Sequence, residues 1–259
     1  MAGKTSLLAT LMIMNLALVG CGGSSESAPQ PLKTHFDDMY IAQIPLDQKQ
    51  AVVQAQNDYS VAKMERAKAE ADLSEANAAV EVAKNDRKSA GNTLDSAVTN
   101  KKQAESSGDQ NRINDAARAL RAAELAKKAA EKRVSYLEAY RDWLKKHSVY
   151  TEEAMYWREA QYEMAKADVA QKNNISPKSF KFADYPSQES ERQKRTQKAK
   201  DRSENERNKA KNAREGWLKQ QGEADEANGR TGDLPDPMAK SSADTSSLDS
   251  ATAEPTAQS

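Results

Sequence analysis

Cys21 is the only cysteine among 259 residues. It directly follows an apolar run, residues 6–19, that is broken only by Thr10 and Asn15 and closed by Gly20. A lone thiol cannot enter an intramolecular disulfide, so modification is the chemistry open to it. The other reactive side chains do not gather. The two histidines, His35 and His147, stand apart, and no His, Cys, Asp and Glu cluster has metal-ligand spacing. His147 lies near Glu152 and Glu153, yet no Glu-x-x-His repeat marks a di-iron bundle. No glycine-rich phosphate loop follows a strand pattern. The serines near the termini sit in segments poorly suited to hold a nucleophile. The expectation is a protein that is not an enzyme, with no catalytic residue, no metal and no cofactor.

The elements around Cys21 point to export. Lys4 gives a basic start, the apolar run is too short to cross a bilayer, and Gly20 is the small residue a signal peptidase needs before its cut. Leu18-Val19-Gly20-Cys21 resembles the lipobox of bacterial lipoproteins. That resemblance implies that Cys21 receives a thioether-linked diacylglycerol, becomes the mature N-terminus and is then N-acylated, palmitate being a typical chain. Two or three acyl chains, each buried methylene contributing about 0.8 kcal/mol, hold a protein lastingly at a membrane. Gly22 is not the aspartate of an inner-membrane retention signal, so the resemblance favours an outer membrane, facing the periplasm, in a two-membraned organism.

Composition limits what the lipid carries. Charged residues make up 30% and aromatic residues 5% of the chain, with a mean hydropathy of −0.91, so a large globular core cannot be built. Alanine and charged helix formers instead suit long helices with a narrow seam. Lys plus Arg equals Asp plus Glu, 39 each, so whole-chain charge names no nucleic-acid partner, and an exported lipoprotein meets none.

The pattern predicts an all-α fold: a long antiparallel helical hairpin (coiled coil), a shorter third helix and a disordered tail. Residues 1–20 read as the signal peptide, and 21–45 as a lipidated tether with a short apolar segment, of which 22–35 is the tether proper. Residues 46–172 read as the hairpin. Pro45, Asp47 and Gln50 look like a capped helix start. Alanine then recurs at 55, 62, 69, 76, 83, 90, 97 and 104, with Val52, Tyr59, Leu73, Val80 and Leu94 at the companion seam positions. Turn residues at 106–110, with Gly108 and the cap Asp109, fold the chain back. The return helix offers Ile113, Leu120, Val134, Leu137 and Leu144 to that seam. Opposed residues adding to 217 place large against small, and set Lys63 near Glu152, Glu70 near Lys145, Lys84 near Glu131 and Asp86 near Arg133. A parallel homodimer would stack Arg66 on Arg66 and Arg87 on Arg87. The alanine spacing resembles the antiparallel coiled coils called Alacoils.

Beside the hairpin seam runs a stripe of Tyr136, Trp143, Tyr150, Trp157 and Met164, with Tyr140 adjacent. It needs a cover, either Phe36, Tyr40, Ile41 and Ile44 together with a third helix, or a partner protein. Residues 173–186 read as a loop bounded by Pro186, with Phe180, Phe182 and Tyr185, and 187–221 as the basic third helix capped by Ser187. Its apolar face is thin, with Ala199, Ala210, Ala213 and Trp217. Between Arg192 and Lys219 eleven basic residues face four acidic ones. Arg192, Lys194, Arg195 and Lys198 are the candidate contacts to an anionic wall polymer or lipid head group. Residues 222–259 read as a disordered acidic tail.

The expected function is that of a lipid-anchored cell-envelope protein, a structural spacer or interaction scaffold whose partners are the membrane and another envelope component. An accessory subunit of an efflux or secretion assembly is the alternative, because the hairpin resembles those of periplasmic adaptors. A carrier that uses the stripe to bind an apolar ligand is a third reading.

Overall fold

A computed structural model of the chain describes residues 28–178, 180–229 and 234–239. The signal segment, Cys21 and most of the expected tail lie outside the described residues. A first unit ends at Gln30; everything below concerns the unit that begins at Pro31.

Three long helices and two short 3₁₀ turns make up this unit, with no strand among the described residues. α1 spans Gln50–Ser107, α2 Gln110–Lys172 and α3 Asp184–Asn228. α2 is the central element: α1 packs along one stripe of it and α3 along another. The all-α hairpin with a third helix is therefore the observed fold.

α1 is uninterrupted over 58 residues because it holds no proline and its one glycine, Gly91, faces open space. Its expected capping pair does not form. Residues Leu46–Lys49 wind as a 3₁₀ turn into α1, and neither Pro45 nor Lys49 makes a side-chain cap. Pro45 suits that place because a helix start has no use for its missing N–H, and 3₁₀ turns often lead into α-helices. The turn at the far end is as expected. Gly108 takes the left-handed conformation, φ 70°, and Asp109 accepts from the N–H groups of Asn111 and Arg112, satisfying donors that α2 leaves open.

The seam is built as its spacing demands. Ala62, Ala69, Ala76, Ala83, Ala97 and Ala104 are buried with Val52 and Val80 on α1, opposite Ala123, Val134, Leu137 and Leu144 on α2. Leu73, Val80 and Ala83 share one core cluster with Val134, Leu137 and Leu144, and the cross-helix contacts Arg66–Glu152, Asp86–Arg133, Tyr59–Tyr162 and Lys84–Glu138 flank a seam of the expected register. Of the four expected pairs only Asp86–Arg133 forms, at 2.7 Å. Arg66 binds Glu70 and Lys127 reaches Glu131 within their own helices, and Lys63 lies over the Tyr59 ring. Pairs one turn apart on one helix need less side-chain ordering than pairs between helices, so they win where the seam has already set the register.

α2 ends by satisfying its last carbonyls. Asn174, at φ 57°, takes the left-handed position; its N–H donates to the Gln171 carbonyl and that of Ile175 to the Ala170 carbonyl, a Schellman arrangement. α3 begins at Asp184, three residues before the expected start, with Pro186 inside its first turn, where no intrahelical N–H is required. Ser187 therefore does not cap it; its hydroxyl donates to the Ala183 carbonyl. α3 also continues to Asn228, closed by Gly229 at φ 61°, through residues expected to be tail.

Close approach along the alanine seam gives a direct test. Ala83→Leu, at a position 1% exposed, should lower stability in urea unfolding by about 1–3 kcal/mol through overpacking. Ala71→Leu, on the exposed face of α1, should change it by less than about 0.5 kcal/mol.

Candidate functional site

The aromatic stripe of α2 lies against α3. Tyr136 is fully buried and stacks on Trp217, ring centroids 5.2 Å apart and planes 9° from parallel. Tyr140 and Trp143 are buried beside it, edge to face at 5.4 Å, and Arg207 of α3 lies over the Trp143 ring. Farther along, Tyr150 is half-buried beside His147, and the Trp157 indole donates to Glu189 at 2.7 Å. Met164 packs instead with the N-terminal cluster around Phe36. The stripe is thus covered within the chain, chiefly by α3, while the N-terminal segment reaches only its far end.

Sequence reasoning undercounted what α3 buries. Beside Ala199, Ala210 and Trp217 stand Arg192, Thr196, Ser203 and Ala224. The signal was present: Thr196, Ser203, Ala210, Trp217 and Ala224 follow one another at seven-residue steps, but the first two are polar. The burial of Thr196 and of Arg192 is possible because partners await them. The Thr196 hydroxyl donates to the Glu153 carbonyl, and the Glu153 carboxylate takes both Arg192 and Arg195.

That pairing redirects the basic contacts. Arg192 is buried, with its guanidinium shared between Glu153 and the Pro31 carbonyl, and Arg195 gives two donors to Glu153 at 2.9 and 2.7 Å. Neither is free for a wall polymer. Lys194 and Lys198 are exposed.

Residues 31–36, expected to be largely tether, are instead gripped by α2 and α3 through their backbone. Arg192 donates to Pro31 O; the Gln188 amide accepts from Lys33 N and Thr34 N and donates to Thr34 O. The Tyr185 hydroxyl donates to His35 O. Phe36 is held at both ends of its peptide unit, with Glu163 accepting from its N–H at 2.5 Å and Lys166 donating to its carbonyl at 2.8 Å. Its ring sits among Tyr40, Phe180 and Tyr185, with centroids within 6.0 Å. Glu163 and Lys166 are 4% and 3% exposed and lie 2.9 Å apart. Burial alone pulls the Lys166 ammonium down, but hydrogen bonds to Asp38 and Glu163 outweigh it and hold it above the usual lysine range. Burial, with Glu163 nearby, pushes the Tyr185 phenol up to about 12.

A third clasp closes the other end of α3. Residues 234–239, expected to be tail, lie against the Tyr136–Trp217 stack. Asp236 accepts from the Tyr136 hydroxyl and from Arg214, both at 2.6 Å, and Met238 is buried in the shared core. Burial and the bond to Asp236 hold the Tyr136 phenol far above its ordinary range.

No protein-family model matches this chain, and no curated protein or solved structure matches it either. Among the described residues no group of His, Cys, Asp and Glu is placed to hold a metal ion. No described helix is long and apolar enough to cross a membrane. Accessible surface includes the hairpin tip, exposed throughout residues 105–112, and the outer face of α1 with the turn before it, where Val53, Val61, Met64, Val82 and Leu46 are exposed.

Two outcomes follow from the buried charges. Lys166→Met leaves the Glu163 carboxylate without its partner and should cost about 3–5 kcal/mol, with residues 31–36 becoming open to proteolysis; adding Glu163→Gln should recover most of the loss. His147, flanked by Trp143 and Tyr150, is held below the ordinary histidine range by burial and by the Arg207 cation. The unfolded chain therefore takes up this proton first. Stability in denaturant should be level above about pH 7 and fall as pH drops below about 6.5, and His147→Phe should flatten that fall.

Proposed function

We propose that this chain is a lipid-anchored protein of a bacterial cell envelope that acts as a spacer and interaction scaffold. Cys21 carries the lipid and α1 with α2 forms the arm. The supporting observation is the clamp at the arm's base: residues 31–36 are fastened by their backbone to Glu163, Lys166, Tyr185, Gln188 and Arg192. Pull on a lipid at Cys21 would thus enter the paired helices rather than a free linker. The roughly ten residues between Cys21 and Pro31 can span at most about 35 Å, whereas α1, with 58 residues, extends about 87 Å at 1.5 Å per residue.

Such a protein works by geometry: one end is fixed at a surface, and the exposed tip around Gly108 meets its partner at a set distance. No proton or group transfer is asked of it. The accessory-subunit reading shares the same arm and differs in what the tip touches. The reading as an apolar-ligand carrier lacks a comparable observation, since the stripe it requires is packed under α3.

Expression in a bacterium with lipoprotein-processing enzymes tests the anchor. Radiolabelled palmitate should enter the wild-type chain and keep it with the membrane fraction, and Cys21→Ser should lose both label and retention. A Cys21→Ser chain that stays membrane-bound, or an unlabelled wild type, would overturn the proposal. A photoreactive residue in place of Asn111 then identifies what the tip meets: an isolated wall or membrane component for the spacer, a transport assembly for the accessory subunit.

A further inference from the structure

The segment at residues 234–239 joins no helix seam, yet it has its own receptor. The receptor is built by α2 and α3 alone: the Tyr136 ring is stacked on Trp217, with Arg214 one turn of α3 away. The segment presents one carboxylate and one large apolar side chain to it. The two oxygens of Asp236 take the Tyr136 hydroxyl and the Arg214 guanidinium, and the Met238 N–H donates back to the same tyrosine oxygen at 3.3 Å. Met238 enters the core beside Trp217, 8% exposed. Pro235 and Pro237 flank the aspartate, and Pro237 opens a single helical turn that Asp236 caps, its carboxylate accepting from the Met238 N–H at 3.2 Å.

A second observation shows that this occupant leaves the receptor incompletely matched. The Trp217 indole N–H is buried with no acceptor among the described residues, although Trp217 is only 1% exposed. A buried donor left unpaired costs free energy that an occupant offering an oxygen would recover. The strap of a second copy would leave the same donor unpaired, so a different sequence stands to gain more.

We propose that the Tyr136–Arg214–Trp217 surface is a docking site for a short acidic peptide segment of another protein, and that residues 234–239 are its resting occupant. The partner supplies a carboxylate to Tyr136 and Arg214, an apolar side chain two positions later and an acceptor for Trp217. Because the strap is tethered, its effective concentration reaches the millimolar range, so the partner engages only by outcompeting it. This site is independent of where the chain is anchored.

The probe is a fluorescent peptide of sequence Leu-Pro-Asp-Pro-Met-Ala, titrated into the full chain by polarisation. The strap-weakened double variant Asp236→Asn, Met238→Ala should bind it at least tenfold more tightly than wild type, and adding Arg214→Met should abolish binding. If the double variant loses its helical circular dichroism, Asp236→Asn alone should show the same ranking. Absence of saturable binding to a folded strap-weakened chain, or equal binding by wild type, would overturn the site. Sedimentation of wild type as a dimer that Asp236→Asn dissolves would place a second copy's strap in the groove and overturn the assignment to another protein.

Discussion

Everything in this molecule depends on α2 carrying two interfaces one residue out of step. Leu137 and Leu144 face α1, while Tyr136 and Trp143 face α3. With about 3.6 residues per turn, neighbouring positions point about 100° apart, so one helix presents two adjoining stripes without either interrupting the other. The stripes differ in kind. Against α1, alanine lets the backbones come close and burial per residue is small, which a seam of this length offsets by repetition. Against α3, a few rings bury much area at once, and α3 answers with Trp217, small residues and arginines whose heads find carboxylates.

Charge then does what apolar surface cannot. The buried groups Glu153, Glu163, Lys166 and Arg192 each meet a partner of opposite sign and hold α3 or the N-terminal segment to α2. Such pairs add little net stability compared with apolar substitutes, but removing one partner strands a charge. Their effect is on arrangement: Glu163 and Lys166 accept only a peptide unit placed as Phe36 is placed, and Glu153 fixes where Arg192 and Arg195 sit along α2. In a chain with so few large apolar residues, that selectivity defines the base of the arm.

Periodicity made the hairpin legible. Eight alanines at seven-residue steps, the Gly108-Asp109 turn and the glycine-free return helix place α1 and α2 without reference to anything distant. Which flanking charges would pair was less legible, because exposed ion pairs discriminate weakly. What stayed hidden was decided by contacts remote in sequence. Nothing near Pro31 announces that Arg192 awaits its carbonyl, and Asp236 looks like any tail aspartate until Tyr136 and Arg214 converge on it. Thr196 and Ser203 read as surface residues because hydropathy alone does not reveal that a hydroxyl has a buried carbonyl to bond, as Thr196 has.

The two clamped segments, 31–36 at the base and 234–239 on the Tyr136–Trp217 stack, leave the hairpin tip and the outer face of α1 with nothing folded over them. That division of labour stands on α3 covering the aromatic stripe. It is tested most directly by placing a photoreactive residue at Trp143 in the protein in its native setting and mapping the products by mass spectrometry. Links to α3 around Arg207, within the same chain, are expected from the packing of that side chain over the Trp143 ring. Links to another protein, with none to α3, would show the stripe to be a docking surface and contradict the arrangement.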